Sequence, residues 1–91
     1  MQNVRAHLLI YGDVIGVGFR YWTVRQARKL GLRGWVKNLS DSVEAIIEGP
    51  KEKVEEMIRL LHEGSPTSMV KNIDVQWEEC RGEFDSFEIK N

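Results

Sequence analysis

The chain reads as an α+β sandwich, with two helices laid on one face of an antiparallel sheet, and three observations point there. Runs of period-two hydrophobicity alternate with runs of helical period in the order βαββαβ, with a short strand added at the end. Glycine and proline stand at the joints, at Gly12, Gly31, Gly49-Pro50 and Gly64. The 91 residues suffice for one modest core and not for two, so a single domain, 1–91, is expected.

From Val4 to Tyr11, Val4, Ala6, Leu8 and Ile10 alternate with Arg5, His7, Leu9 and Tyr11, a strand with one face in a core. Arg20 to Leu30 places Trp22 or Tyr21, Val24, Ala27 and Leu30 at near-helical spacing and stops at Gly31. Gly34 to Leu39, a polar turn at Ser40-Asp41-Ser42, and Val43 to Glu48 read as a hairpin. Pro50 suits the first turn of a second helix, along which Val54, Met57, Ile58 and Leu61 recur at i, i+3, i+4 and i+7 up to Gly64. Val70, Ile73, Val75 and Trp77 form a further extended segment, irregular around Lys71-Asn72, and Phe84 to Ile89 is a short last strand.

Right-handed crossovers fold this order into the split βαβ, or ferredoxin-like, arrangement with strands ordered 4-1-3-2. Strands one and two then run parallel with strand three between them, and their C-terminal ends emerge on one side, roughly 10 Å apart. The segment Gly12-Asp13-Val14-Ile15-Gly16-Val17-Gly18-Phe19-Arg20 leaves the first of those ends, and Asn38 stands near the second.

That segment is a glycine-punctuated loop ending in a cation where a helix begins. Glycines let a backbone turn its N–H groups onto one point, and the first N–H groups of a helix have no partner inside it. No Ser, Thr or Asn between Ile15 and Phe19 caps them, and Asp13 lies too early to do so. Arg20 adds a planar, permanently charged fork suited to phosphate oxygens. The loop lacks the Gly-Lys-Ser/Thr ending of a nucleotide P-loop and the third glycine of a dinucleotide site, which argues against both.

Composition narrows the class further. Thirteen Lys or Arg face 14 Asp or Glu, a formal net charge of −1, which gives no general reason to expect nucleic acid or an anionic membrane as partner. Cys80 is the one cysteine, so no internal disulfide forms, no set of metal-ligating cysteines exists, and the reducing cytoplasm is the expected home. No stretch approaches a membrane span, and the N-terminus leads into a strand-like segment in place of an export signal.

Gly12-x-Val14-x-Gly16-Val17-x-Phe19-Arg20, then Gly34-Trp35-Val36-x-Asn38 and Val43-Glu44-Ala45, with Glu63-Gly64-Ser65-Pro66 after the second helix, resembles the acylphosphatase family from the first strand to the last. The resemblance implies hydrolysis of the carboxyl-phosphate bond of small acyl phosphates by a monomer, without metal, cofactor or covalent intermediate. It also implies site roles: the N–H groups of Ile15, Gly16, Val17, Gly18, Phe19 and Arg20, with the Arg20 side chain, hold the phosphate, and Asn38 positions the attacking water. The bound phosphate itself is the implied proton acceptor.

Two departures stand out. Ile15 occupies a position where the family commonly has glutamine, so a side-chain amide is lost while the backbone N–H survives. The turn Asp41-Ser42-Val43 is one residue shorter than the family pattern and lacks its glycine, so a different turn type or strain is expected, with a shift in the aim of Asn38. A phosphate-binding or regulatory module with blunted activity is one alternative. An RNA-binding module of the same architecture is another, although such modules stack bases on central-strand aromatics, whereas Phe19, Tyr21 and Trp22 fall in a loop and helix start. His7 reads as a strand-face residue, His62 as a helix-end residue, and Asn38 alternatively as a turn cap. Arg25, Arg28, Lys29 and Arg33 read as a solvated face, Trp22, Trp35 and Trp77 as packing residues, and Cys80 as an inert thiol.

Overall fold

The alternation of the first segment becomes an eleven-residue strand, β1 (Asn3–Asp13), with Ala6, Leu8 and Ile10 fully buried on one face and Arg5, His7, Leu9 and Tyr11 on the other. The computed structural model describes residues 2–91. After β1 come α1 (Phe19–Lys29), β2 (Arg33–Asn38), β3 (Val43–Pro50), α2 (Lys51–Glu63), β4 (Met69–Glu78) and β5 (Phe87–Ile89). The sheet order is β4-β1-β3-β2-β5, so the expected 4-1-3-2 arrangement holds with β5 added outside β2.

The pairings β1–β3, β1–β4 and β2–β3 are antiparallel, and the β1–β4 ladder breaks register between Tyr11 and Gly12, where the irregularity at Lys71-Asn72 was expected. The β2–β5 pairing is parallel, which makes the sheet mixed and not wholly antiparallel. The cause lies in residues 79–86: the expected last strand began at Phe84, but this stretch carries the chain from the end of β4 to the end of the sheet where β2 begins. Only Phe87 onward can then ladder, and it must run with β2, starting where the Gly34 N–H donates to the Ser86 carbonyl at 3.0 Å.

A buried ion pair fastens that crossing. Arg5 and Glu48 face each other on the helix-free side of β1 and β3, both buried, with Nη1 to Oε2 at 3.1 Å. Glu48 also accepts the N–H groups of Arg81 at 2.9 Å and Gly82 at 3.2 Å, while Arg5 donates to Glu78 at 3.1 Å and Glu83 at 2.7 Å and lies over the Phe84 ring. Burial alone would push the Glu48 carboxyl up, but the Arg81 N–H, the Arg5 guanidinium and the Gly82 N–H outweigh it and hold the group below the ordinary glutamate value.

Both helices lie on the Ala6–Leu8–Ile10 face. In α2, Val54, Met57 and Leu61 are buried with Ile58 packed beside them, as their spacing requires. Pro50 ends β3 with an extended ψ of 137° and precedes α2, so it is not the first helical residue; Lys51 is, and its N–H goes to the Gln2 carbonyl at 3.0 Å. In α1, Phe19, Thr23, Val24 and Ala27 are buried, and Trp22 turns inward to stack on Phe19 while Tyr21 faces out. The helix closes with the N–H groups of Gly31 and Leu32 on the carbonyls of Arg28 and Ala27. Among the described residues, no helix is long and apolar enough to cross a membrane.

Candidate active site

Between β1 and α1, Val14 and Phe19 are buried, and the four residues they bracket arch outward. Gly16 and Gly18 both have φ of 77°, and among the described residues no non-glycine residue has positive φ, so the sign alternates along Ile15-Gly16-Val17-Gly18. Such alternation curls consecutive N–H groups toward one concave side and forms an anion-binding nest. A Cβ at Gly16 or Gly18 would meet no atom within 4 Å, so it is the left-handed conformation, and not a lack of space, that calls for glycine there.

Gly18 is also the N-cap of α1. It offers no side-chain cap, no acid stands in the first turn, and among the described residues no acceptor takes the N–H groups of residues 15–20. The positive end of the helix dipole adds to the same point. Arg20, half-buried in the first turn, pairs with no carboxylate among the described residues. It opens onto a groove of about 510 Å³ between α1 and β5, which Tyr21, Val24 and Glu88 also line. Unpartnered backbone donors followed in the chain by an arginine free of carboxylate partners suit a tetrahedral oxyanion.

Asn38 is the last residue of β2. Its partner Val43 in β3 pairs on the other side with Ile10 of β1, so Asn38 sits two strand spacings from the root of the glycine loop. Strand alternation puts Asn38 on the same face as buried Val36, the face on which α1 begins. Its Oδ1 is buried and accepts no hydrogen bond from the described residues, which argues against a simple turn cap. The adjoining turn closes with the Leu39 N–H on the Ser42 carbonyl at 2.7 Å and with no positive φ. Of the two outcomes expected from its missing glycine, a different turn type is therefore the one found, since a four-residue connection needs no left-handed residue, and the β2–β3 ladder continues up to Asn38–Val43.

Thr67, between α2 and β4, has no signal in the sequence that sets it apart, yet its Oγ1 donates to the Val17 carbonyl at 2.8 Å and ties the arch down from the far side. Its connection is itself a tight turn in which the Ser65 N–H donates to Ser68 Oγ at 2.8 Å, giving the Ser65-Pro66 motif a local role. Of the basic residues read as a solvated face, Arg28 departs, because its Nε donates to the Phe87 carbonyl at 3.1 Å and holds α1 to β5. His7 lies on the helix-free face against Glu44 at 2.7 Å, away from the loop.

The sequence matches the acylphosphatase family model over residues 6–89. It is 55% identical over 83 residues to an acylphosphatase of Thermococcus kodakarensis, covering 90% of this chain and 91% of the relative. An acylphosphatase of Trichormus variabilis is 49% identical over 90 residues, covering 98% of this chain and 88% of the relative. The fold superposes on the crystal structure of an acylphosphatase from Bacillus subtilis with a TM-score of 0.93 at 34% identity, over 97% of this chain and 99% of the other.

Proposed function

The chain belongs to the acylphosphatase family and is an enzyme of acyl phosphate hydrolysis, and from that we propose that the phosphate is held by the N–H groups of residues 15–20 and by Arg20, with Asn38 orienting the attacking water. The observation that carries this reading is the run of N–H groups from Ile15 to Arg20 that curls to one side, finds no acceptor in the described chain and ends in an unpaired guanidinium. The place of Asn38, two strand spacings from the root of the loop and on the face where α1 begins, supports the second half: an amide oxygen accepts one hydrogen bond from water and turns a lone pair of that water toward phosphorus.

In the reaction, the water oxygen forms a bond to phosphorus as the bond to the acyl oxygen breaks, and the electron pair leaves with the carboxylate. The proton released by water goes to a non-bridging phosphate oxygen. Transfer of this kind passes through a loose transition state, so positioning and stabilisation of the equatorial oxygens do most of the work, and a stable carboxylate leaving group removes the need for a strong base. The unstrained turn beside Asn38 favours a working enzyme over a blunted binding module.

The same reading takes the protein to be a cytoplasmic monomer acting on a small molecule without metal. The helix-free sheet face favours that over RNA, because its central strands present Arg5, His7, Leu9, Glu44, Ile46 and Glu48, with acids where bases would stack. The experiment is steady-state hydrolysis of benzoyl phosphate in the presence of chelator, with Arg20→Ala as control. Activity that survives chelator and vanishes in the variant is expected; equal activity in the variant overturns the assignment.

A further inference from the structure

Among the described residues five large apolar side chains are exposed: Ile15 at 41%, Tyr21 at 66%, Leu39 at 37%, Met69 at 60% and Trp77 at 48%. Four of the five belong to one end of the molecule. Ile15 lies on the arch, Tyr21 follows Arg20, Leu39 follows Asn38, and Met69 pairs with Asp13 where β1 runs into the arch. Trp77 alone lies at the opposite end, paired with Ala6. Exposed apolar side chains scattered singly need no explanation, but four of them at the end that carries the glycine arch do.

With the phosphate end of a substrate fixed in the nest, its acyl end must project past this rim. The charged residues in the two connections that flank it, 13–18 and 39–42, are Asp13 and Asp41, both acidic and exposed. Over these two connections an anionic acyl group would meet two carboxylates of its own sign. Resting on the phosphate site proposed above, we infer that the rim receives the acyl group and that the preferred substrates are acyl phosphates with an uncharged, apolar acyl group. Leu39, which follows Asn38, and Tyr21, which lines the groove that Arg20 opens onto, act as specificity-determining residues.

The test compares kcat/KM for benzoyl, acetyl and 4-carboxybenzoyl phosphate, each divided by its uncatalysed rate, in the wild type and in Leu39→Ser, Tyr21→Ser and Trp77→Ser. The wild type is expected to favour benzoyl over acetyl phosphate by about 10-fold or more, with 4-carboxybenzoyl phosphate falling well below benzoyl. Leu39→Ser and Tyr21→Ser each lower the benzoyl-to-acetyl ratio by about 3- to 10-fold, and Trp77→Ser, at the far end, leaves it unchanged. Tyr21 is exposed enough that its variant folds even if Leu39→Ser does not. A wild type indifferent to the acyl group, or ratios unmoved by both rim variants, overturns the inference. Competitive inhibition by inorganic phosphate and loss of activity in Arg20→Ala separate the two levels: if both hold while the ratios stay put, only the rim is wrong, and if both fail the phosphate site falls and the rim with it.

Discussion

Replacing Glu48 by Gln removes a charge from the one buried ion pair of the fold while nearly keeping its shape. The carboxylate of Glu48 accepts three hydrogen bonds, from Arg5, Arg81 and Gly82, at 3.1, 2.9 and 3.2 Å. In the variant an amide oxygen at the Oε2 position still accepts from Arg5 and Arg81, but the NH2 at the Oε1 position faces the Gly82 N–H, and Arg5 stays buried with one counter-charge fewer. Breaking one side of a buried pair destabilises by about 3–5 kcal/mol, and the lower end applies because Glu78 and Glu83 still contact Arg5. About 3 kcal/mol, at about 4–8 °C per kcal/mol for a chain of this size, is a fall in Tm of about 12–24 °C at pH 7. The pH dependence gives the sharper check. The folded Glu48 pKa is lowered, so its contribution is present above the unfolded value of about 4.3 and is lost as pH falls through the folded value. Protonated Glu48 resembles Gln, so thermal melts followed by circular dichroism should give curves for wild type and variant that converge as pH drops from 7 toward 3. A Tm difference that is the same at both ends of that range would refute the argument, because the effect would then not come from the charge.

Three further outcomes are expected. Asn38→Ala should lower kcat on benzoyl phosphate by about 100- to 1,000-fold with a much smaller change in the inhibition constant for inorganic phosphate; an intact rate would remove Asn38 from the water-positioning role. Thr67→Val deletes the tether to the Val17 carbonyl, a neutral hydrogen bond of about 0.5–1.5 kcal/mol, so phosphate should bind about 2- to 10-fold more weakly in a titration while Tm moves little. Insertion of glycine between Asp41 and Ser42 should bring no rise in rate, since the turn is unstrained as it stands; a rise would show that its length limits the enzyme.

What could be read in advance was whatever local pattern decides. Period-two alternation at Val4–Tyr11 and the i, i+3, i+4, i+7 spacing at Val54–Leu61 announce elements whose burial follows directly, and the glycines at 16 and 18 announce an arch because φ near 77° suits few other residues. What escaped depends on contacts distant in sequence. Nothing in residues 79–86 tells that they cross the sheet end, because Glu48, more than thirty residues away, holds them there. The choice between Trp22 and Tyr21 as the inward residue rests on the stack with Phe19, and the part played by Thr67 rests on a carbonyl fifty positions earlier. At Asp41-Ser42 the missing glycine left a different turn type and strain both open, and only the backbone, a four-residue connection closed by the Leu39 N–H on the Ser42 carbonyl, decides for the first.

Val43 is paired on both flanks, with Ile10 in the strand that leads into the glycine arch and with Asn38 in β2. The gap between the two halves of the site is thus measured out in β-ladder steps, a unit that side-chain changes in the core or on the surface do not alter. Drift at most positions leaves this spacing untouched, and a relative sharing barely half of these residues can inherit the same gap. A change that slips β3 by one residue would instead turn the β3 side chains beside Asn38 to the opposite face of the sheet and undo the arrangement while leaving Arg20 and Asn38 themselves present.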